Sequence, residues 1–76
     1  MPIYHFQFVN DKDSADGGVL NLANDGAAQL EAEVEASELL HHPGEGDWSR
    51  WKIRVTDETG RLVTTVSIAD MRNRVQ

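Results

Sequence analysis

The stretch over residues 24–42, NDGAAQLEAEVEASELLHH, constrains this chain more than any other, because it alone is long enough for a helix of several turns. Asn24 is placed to cap it, since an Asn side-chain oxygen accepts a first-turn N–H. Asp25 then sets a negative charge at the positive end of the helix dipole. Gly26 is a poor helix former, but Ala, Leu and Glu dominate after it. Pro43 and Gly44 end the run, because the residue before a proline is pushed out of helical geometry. At about 100° per residue, Ala28, Ala32, Ala36, Leu39 and Leu40 share one face. These small side chains suit close approach to a sheet, so this is the expected core face. Glu31, Glu35, Glu38 and His42 share a second face. Ala27, Leu30 and Val34 form a third group, which is either a second edge of the core or a contact site.

Runs of strand character flank the helix. Residues 3–9 alternate, with Tyr4, Phe6 and Phe8 on one side and Ile3, His5, Gln7 and Val9 on the other. Residues 10–18 read as a polar loop whose Asp16-Gly17-Gly18 makes a tight turn. Residues 19–22 read as a short strand pairing back on the first. After the helix comes a glycine-rich loop, PGEGD, at 43–47. A second alternation covers 48–56, with Trp51, Ile53 and Val55 inward and Lys52, Arg54 and Thr56 outward. Trp48 is three residues from Trp51, so a straight strand cannot turn both inward, and one of them belongs at the rim. Asp57-Glu58-Thr59-Gly60 is a hairpin turn, and residues 62–68 complete the hairpin. Here Leu62, Thr64, Val66 and Ile68 share one side, while Val63 and Thr65 share the other. The tail from residue 70 is expected to fray.

The chain therefore predicts one α+β domain over residues 1–76, built ββαββ. The third strand can lie antiparallel beside the first, giving a four-stranded antiparallel sheet in order 2-1-3-4. A right-handed crossover lays the helix on one face of it. The core is then Tyr4, Phe6, Phe8, Leu20 or Leu22, the helix alanines, Leu39, Trp51, Ile53, Val55, Val66 and Ile68. The other sheet face stays open, as antiparallel sheets allow.

Within this order, the opening M-P-x-Y-x-F resembles a family of small alphaproteobacterial proteins of unknown function. Further matching pieces are Asn24 with Ala27-Ala28 and Glu31-Ala32, Leu39-Leu40, and Trp51-Lys52-Ile53-x-Val55-x-Asp57-Glu58-x-Gly60-Arg61. Gly26 and a longer, more basic tail depart from that pattern. The matched positions are core, cap and turn residues, so the resemblance implies a fold and a bacterial origin and carries no activity.

Charge is unevenly spread. Residues 1–47 carry ten acids against one base, and residues 48–76 carry six bases against three acids, for a net charge of −6. Direct nucleic-acid binding through Lys52 and Arg54 on the open face is disfavoured by this acidity, because phosphate attraction dominates such affinity. His41-His42 with Glu38, Glu45 and Asp47 lacks metal-ligand spacing, as adjacent helical histidines diverge by about 100°. Gly44-x-Gly46 follows a helix rather than a strand, the wrong context for a dinucleotide. No nucleophile motif and no cysteine is present, so neither enzyme activity nor a cofactor or metal is expected. The N-terminus lacks a signal-peptide pattern, and no apolar run approaches the roughly 18 residues that span a bilayer. A cytoplasmic protein is expected.

A chain of 76 residues has a small core, and dimerisation is a common remedy. The expectation is a non-enzymatic protein–protein interaction module acting as a homodimer. Its contact surfaces would be Ala27, Leu30 and Val34 on the helix or Lys52 and Arg54 on the open sheet face. The alternative is an acidic regulator whose Glu31, Glu35 and Glu38 dock on a basic site of a partner, such as a nucleic-acid-binding protein.

Overall fold

The structure, a computed structural model, describes residues 2–40 and 48–74. Strands β1 (Ile3–Val9), β2 (Ser14–Asn21), β3 (Lys52–Asp57) and β4 (Leu62–Ser67) form one antiparallel sheet in the order β2-β1-β3-β4. Helix α1 (Asp25–Leu40) lies between β2 and β3 in sequence and packs chiefly over β4 and β3. The ββαββ arrangement and the strand order are those the sequence predicts.

Local chemistry explains the elements. Asn24 Oδ1 accepts the Ala27 N–H at 2.9 Å and caps α1. Ala28, Ala32 and Ala36 are fully buried against the sheet, and Leu39 and Leu40 pack at the margin of the core. From the sheet come Tyr4, Phe6, Ile53, Val55 and Val66, all buried, with Phe8 and Leu22 packed against them. Leu20 remains 38% exposed, so Leu22 is the β2-side residue that joins the core.

Four expectations are corrected. First, β2 starts at Ser14, and the tight turn precedes it: Asn10 Oδ1 accepts the N–H groups of Lys12 and Asp13. Asp16, Gly17 and Gly18 instead form a bulge inside the strand, where the register against β1 slips between Phe6 and Gln7. Gly18 has φ 102° there, a conformation that β-carbons disfavour.

Second, residues 48–50 are a short 3₁₀ turn, Trp48–Arg50, and β3 begins only at Lys52. The turn closes with Trp51 N–H donating to the Trp48 carbonyl at 3.0 Å. Because the chain bends here, the Trp48 and Trp51 rings meet in a tilted pair at a centroid distance of 5.3 Å, and Phe8 lies 6.0 Å from Trp48. Both tryptophans pack against the core, as a straight strand would forbid.

Third, a register slip between Val55 and Thr56 leaves Val63 unpaired in β4. One extra residue reverses the facing beyond it. Val63 thus packs against the core, and Leu62 is 48% exposed. Fourth, the chain neither continues as a strand through Ile68 nor frays after Asp70. It forms α2 (Ile68–Arg74), which packs on α1. Ile68 and Met71, three residues apart, both point into the core. Asp70 adds a first-turn acid that suits the helix dipole.

Candidate interaction surfaces

The outward face of α1 carries the most exposed apolar side chain described. Leu30 is 62% exposed and Val34 44%, while Ala27, a turn before Leu30, is partly covered. Over two turns all three fall on the side away from the alanine stripe, as their spacing predicts.

Next to them runs the acidic flank. Glu38 is exposed, whereas Glu31 and Glu35 are partly covered. Glu35 Oε2 is buried and has no hydrogen-bond partner. It borders a recess of about 160 Å³ lined by Phe8, Glu35, Glu38 and Leu39. Burial, then the neighbouring carboxylates Glu31 and Glu38, push the Glu35 carboxyl above its ordinary range. The flank is thus less uniformly solvated than the sequence pattern suggests.

Lys52 and Arg54 are exposed on the opposite side of the sheet. Arg54 stands level with Gln7 on β1 and Thr65 on β4, and Lys52 with Val9 and Ser67. Their neighbours Ile53 and Val55 point the other way, into the core. The hydrophobic layer therefore separates these bases from the glutamates of α1, and the proposed contact residues fall on two surfaces. A shallow depression of about 490 Å³ on the sheet takes in His5, Gln7, Asp16, Thr56 and Glu58. Its carboxylates, Asp16, Asp57 and Glu58, with no Lys or Arg among the lining residues, favour no phosphate backbone.

Sequence reasoning missed a polar cluster at the start of α1. Tyr4 Oη donates to Asp25 Oδ1 at 2.9 Å, and Arg61 Nη2 donates to Asp25 Oδ2 at 2.9 Å. Arg61 Nε also reaches Asp57 Oδ2 at 3.0 Å. The other oxygen of Asp57 accepts from the Thr59 hydroxyl and from the N–H groups of Thr59 and Arg61. These donors, the Thr59 hydroxyl foremost, hold Asp57 down at about 2. Arg61 and then Tyr4 likewise lower Asp25, while burial and then Asp25 raise the Tyr4 phenol. The Asp57-x-Thr59-Gly60-Arg61 turn was legible; its reach to Asp25 depends on how the hairpin packs. The cluster ties β1, α1 and the β3–β4 hairpin together.

Among the described residues, no group of three or more His, Cys, Asp or Glu is arranged to hold a metal ion. His41, His42, Glu45, Asp47 and the PGEGD loop lie outside the described residues. No described helix is long and apolar enough to cross a membrane.

The model of one protein family, DUF6894, a domain of unknown function, matches residues 3–69. The chain belongs to that family. The DUF6894 match starts at the first residue of β1 and ends just inside α2, so it takes in the whole sheet and α1. An uncharacterised family is what the resemblance of the sequence implied, although Met1 and Pro2 of the opening motif fall outside the matched residues. Neither the curated proteins nor the solved structures give a match to this DUF6894 chain.

Proposed function

We propose that this DUF6894 domain is a non-enzymatic protein–protein interaction module of the bacterial cytoplasm, of alphaproteobacterial origin, that acts as a homodimer. The observation that supports the reading is Leu30 and Val34, exposed side by side on α1 in a domain whose buried core is small. Apolar side chains grouped on a surface are common at protein contacts. The absence of nucleophile and phosphate-loop motifs from the sequence supports a non-enzymatic role. Light scattering at micromolar concentration tests the claim: the expected mass is twice the 8.5 kDa of the chain. A monomer at that concentration overturns it.

A second reading rests on Glu35. Its buried, unpaired carboxylate oxygen, on a carboxyl pushed up first by burial and then by Glu31 and Glu38, would gain from a cationic partner group. On this reading the Glu31/Glu35/Glu38 flank docks on a basic site of another protein, such as a nucleic-acid-binding protein. Capture of basic proteins that is lost at high salt supports it, and salt-insensitive self-association supports the homodimer.

A further inference from the structure

The sheet has two edges, and they differ. At one edge, β2 carries Asp16 within the strand and is bent by the Gly17-Gly18 bulge. Charges and bulges are the devices that keep an edge from pairing with another chain. At the other edge, β4 reads LVTTVS, with no charge, proline or glycine. Its single strand neighbour is β3.

Hydrogen bonding fixes which backbone groups of β4 point outward. The Ile68 N–H donates to the Trp51 carbonyl at 3.1 Å, continuing the β3–β4 ladder. Backbone groups alternate sides along an antiparallel strand. Counting back in twos, Val66 and Thr64 turn theirs toward β3, and Thr65 and Ser67 turn theirs away. No described strand receives them.

We infer that β4 pairs antiparallel with β4 of a second copy, joining the two sheets at this edge. The inference rests on the reading that the protein is a homodimer and names its interface. A two-fold antiparallel pair must be centred on a residue, since directly opposite side chains share a face. Thr65 is the outward-bonding residue nearest the middle of β4, and its side chain is exposed. Centred there, Thr65 meets Thr65 as a hydrogen-bonded pair, and Thr–Thr pairs across strands are favourable. Thr64 then meets Val66 on the helix side. The pairing ends at Ser67, because Ile68 opens α2. No charged residue lies in β4, so no like charges face each other along the paired strands. The same operation at β2 would bring its acidic residue, Asp16, near its own copy. The helices lie on one side of the joined sheet. Gln29 and Glu33 of α1 border the groove beside Thr64, Thr65, Val66 and Ser67, and Leu30 is the next exposed apolar residue round the helix.

Sedimentation of the full chain, wild type against Thr65→Pro and Thr65→Lys, tests the inference. Proline removes an outward N–H that the monomer does not use and is tolerated on edge strands. Lysine keeps the N–H but sets like charges on the two-fold axis. Both are expected to raise the dimer dissociation constant by about tenfold or more, with circular dichroism unchanged. Amide exchange gives a readout free of substitutions: the Thr65 and Ser67 amides slow as wild-type concentration rises, while Val66 is protected throughout. A wild-type dimer with both lysine and proline variants equally dimeric, or with Thr65 and Ser67 exchange independent of concentration, overturns the β4 interface and leaves the homodimer reading standing. A wild-type monomer overturns both.

Discussion

Arg61 Nη2 lies 2.9 Å from Asp25 Oδ2, joining the hairpin beyond β3 to the first turn of α1 across 36 residues of sequence. The same guanidinium holds Asp57, so one side chain bridges two carboxylates. Arg61→Ala removes both bonds and leaves Asp25 with the Tyr4 hydroxyl alone. The expected outcome is a thermal midpoint lower by several degrees. Arg61→Lys should recover part of it, because an ammonium cannot reproduce the two-armed geometry of a guanidinium. Equal midpoints for wild type and Arg61→Ala would mean the bridge contributes nothing to the fold, as exposed pairs often do.

Acid should unfold the domain through the same cluster. Asp57 is held at about 2, below its ordinary 3.8, and Asp25 is lowered too. A carboxyl lowered on folding stabilises the fold above its unfolded value, and that stability drains as pH falls toward the folded one. For Asp57 the window runs from about 4 down to about 2. Urea midpoints should therefore fall across it for wild type. Asp57→Asn should start less stable and show a shallower decline. An identical slope in both proteins would place the acid sensitivity elsewhere.

Ala28, Ala32 and Ala36 have zero exposure, in one core with Phe6, Ile53 and Val55. Ala32→Leu would force three extra carbons into that core. Overpacking of this kind costs about 1–3 kcal/mol, and chemical denaturation should show a loss of that size with an unchanged slope. Leu30→Ala, on the exposed side, should change monomer stability by far less.

Much of this fold was readable because local and long-range signals agree. The period of α1, its Asn24 cap and the Tyr4/Phe6/Phe8 alternation each point to the architecture observed. The errors fall where one residue breaks a period. The Gly17-Gly18 bulge disguised half of β2 as a loop, and the extra residue at Val63 reversed the facing of Leu62 and Val63. Met71 was missed because two apolar residues three apart, Ile68 and Met71, are too short a pattern to announce a helix without α1 beside them. Lys52 and Arg54 stand outward as their alternation implies, and of the two places left open for Leu30 and Val34, core edge or surface, they take the surface. The Tyr4–Asp25–Arg61–Asp57 cluster was out of reach, because charge pairing between residues 36 apart follows from packing and leaves no periodic trace.

Glu35 should act in the opposite sense to Asp57. Its carboxyl is raised above the ordinary 4.5, first by burial and then by Glu31 and Glu38. A carboxyl raised on folding binds its proton more tightly in the native state. The stability it contributes is complete below 4.5 and is lost as pH rises through the folded value. At neutral pH the charged form is thus a burden on the monomer, borne by an oxygen with no hydrogen-bond partner. Glu35→Gln removes the charge while keeping the shape, so its thermal midpoint at pH 7 should exceed that of wild type. At pH 4 the two should converge, because wild-type Glu35 is then largely protonated. A Gln variant less stable than wild type at pH 7 would show that the carboxylate is satisfied in solution. The second reading of the function, in which a basic partner relieves this charge, would then lose its physical basis.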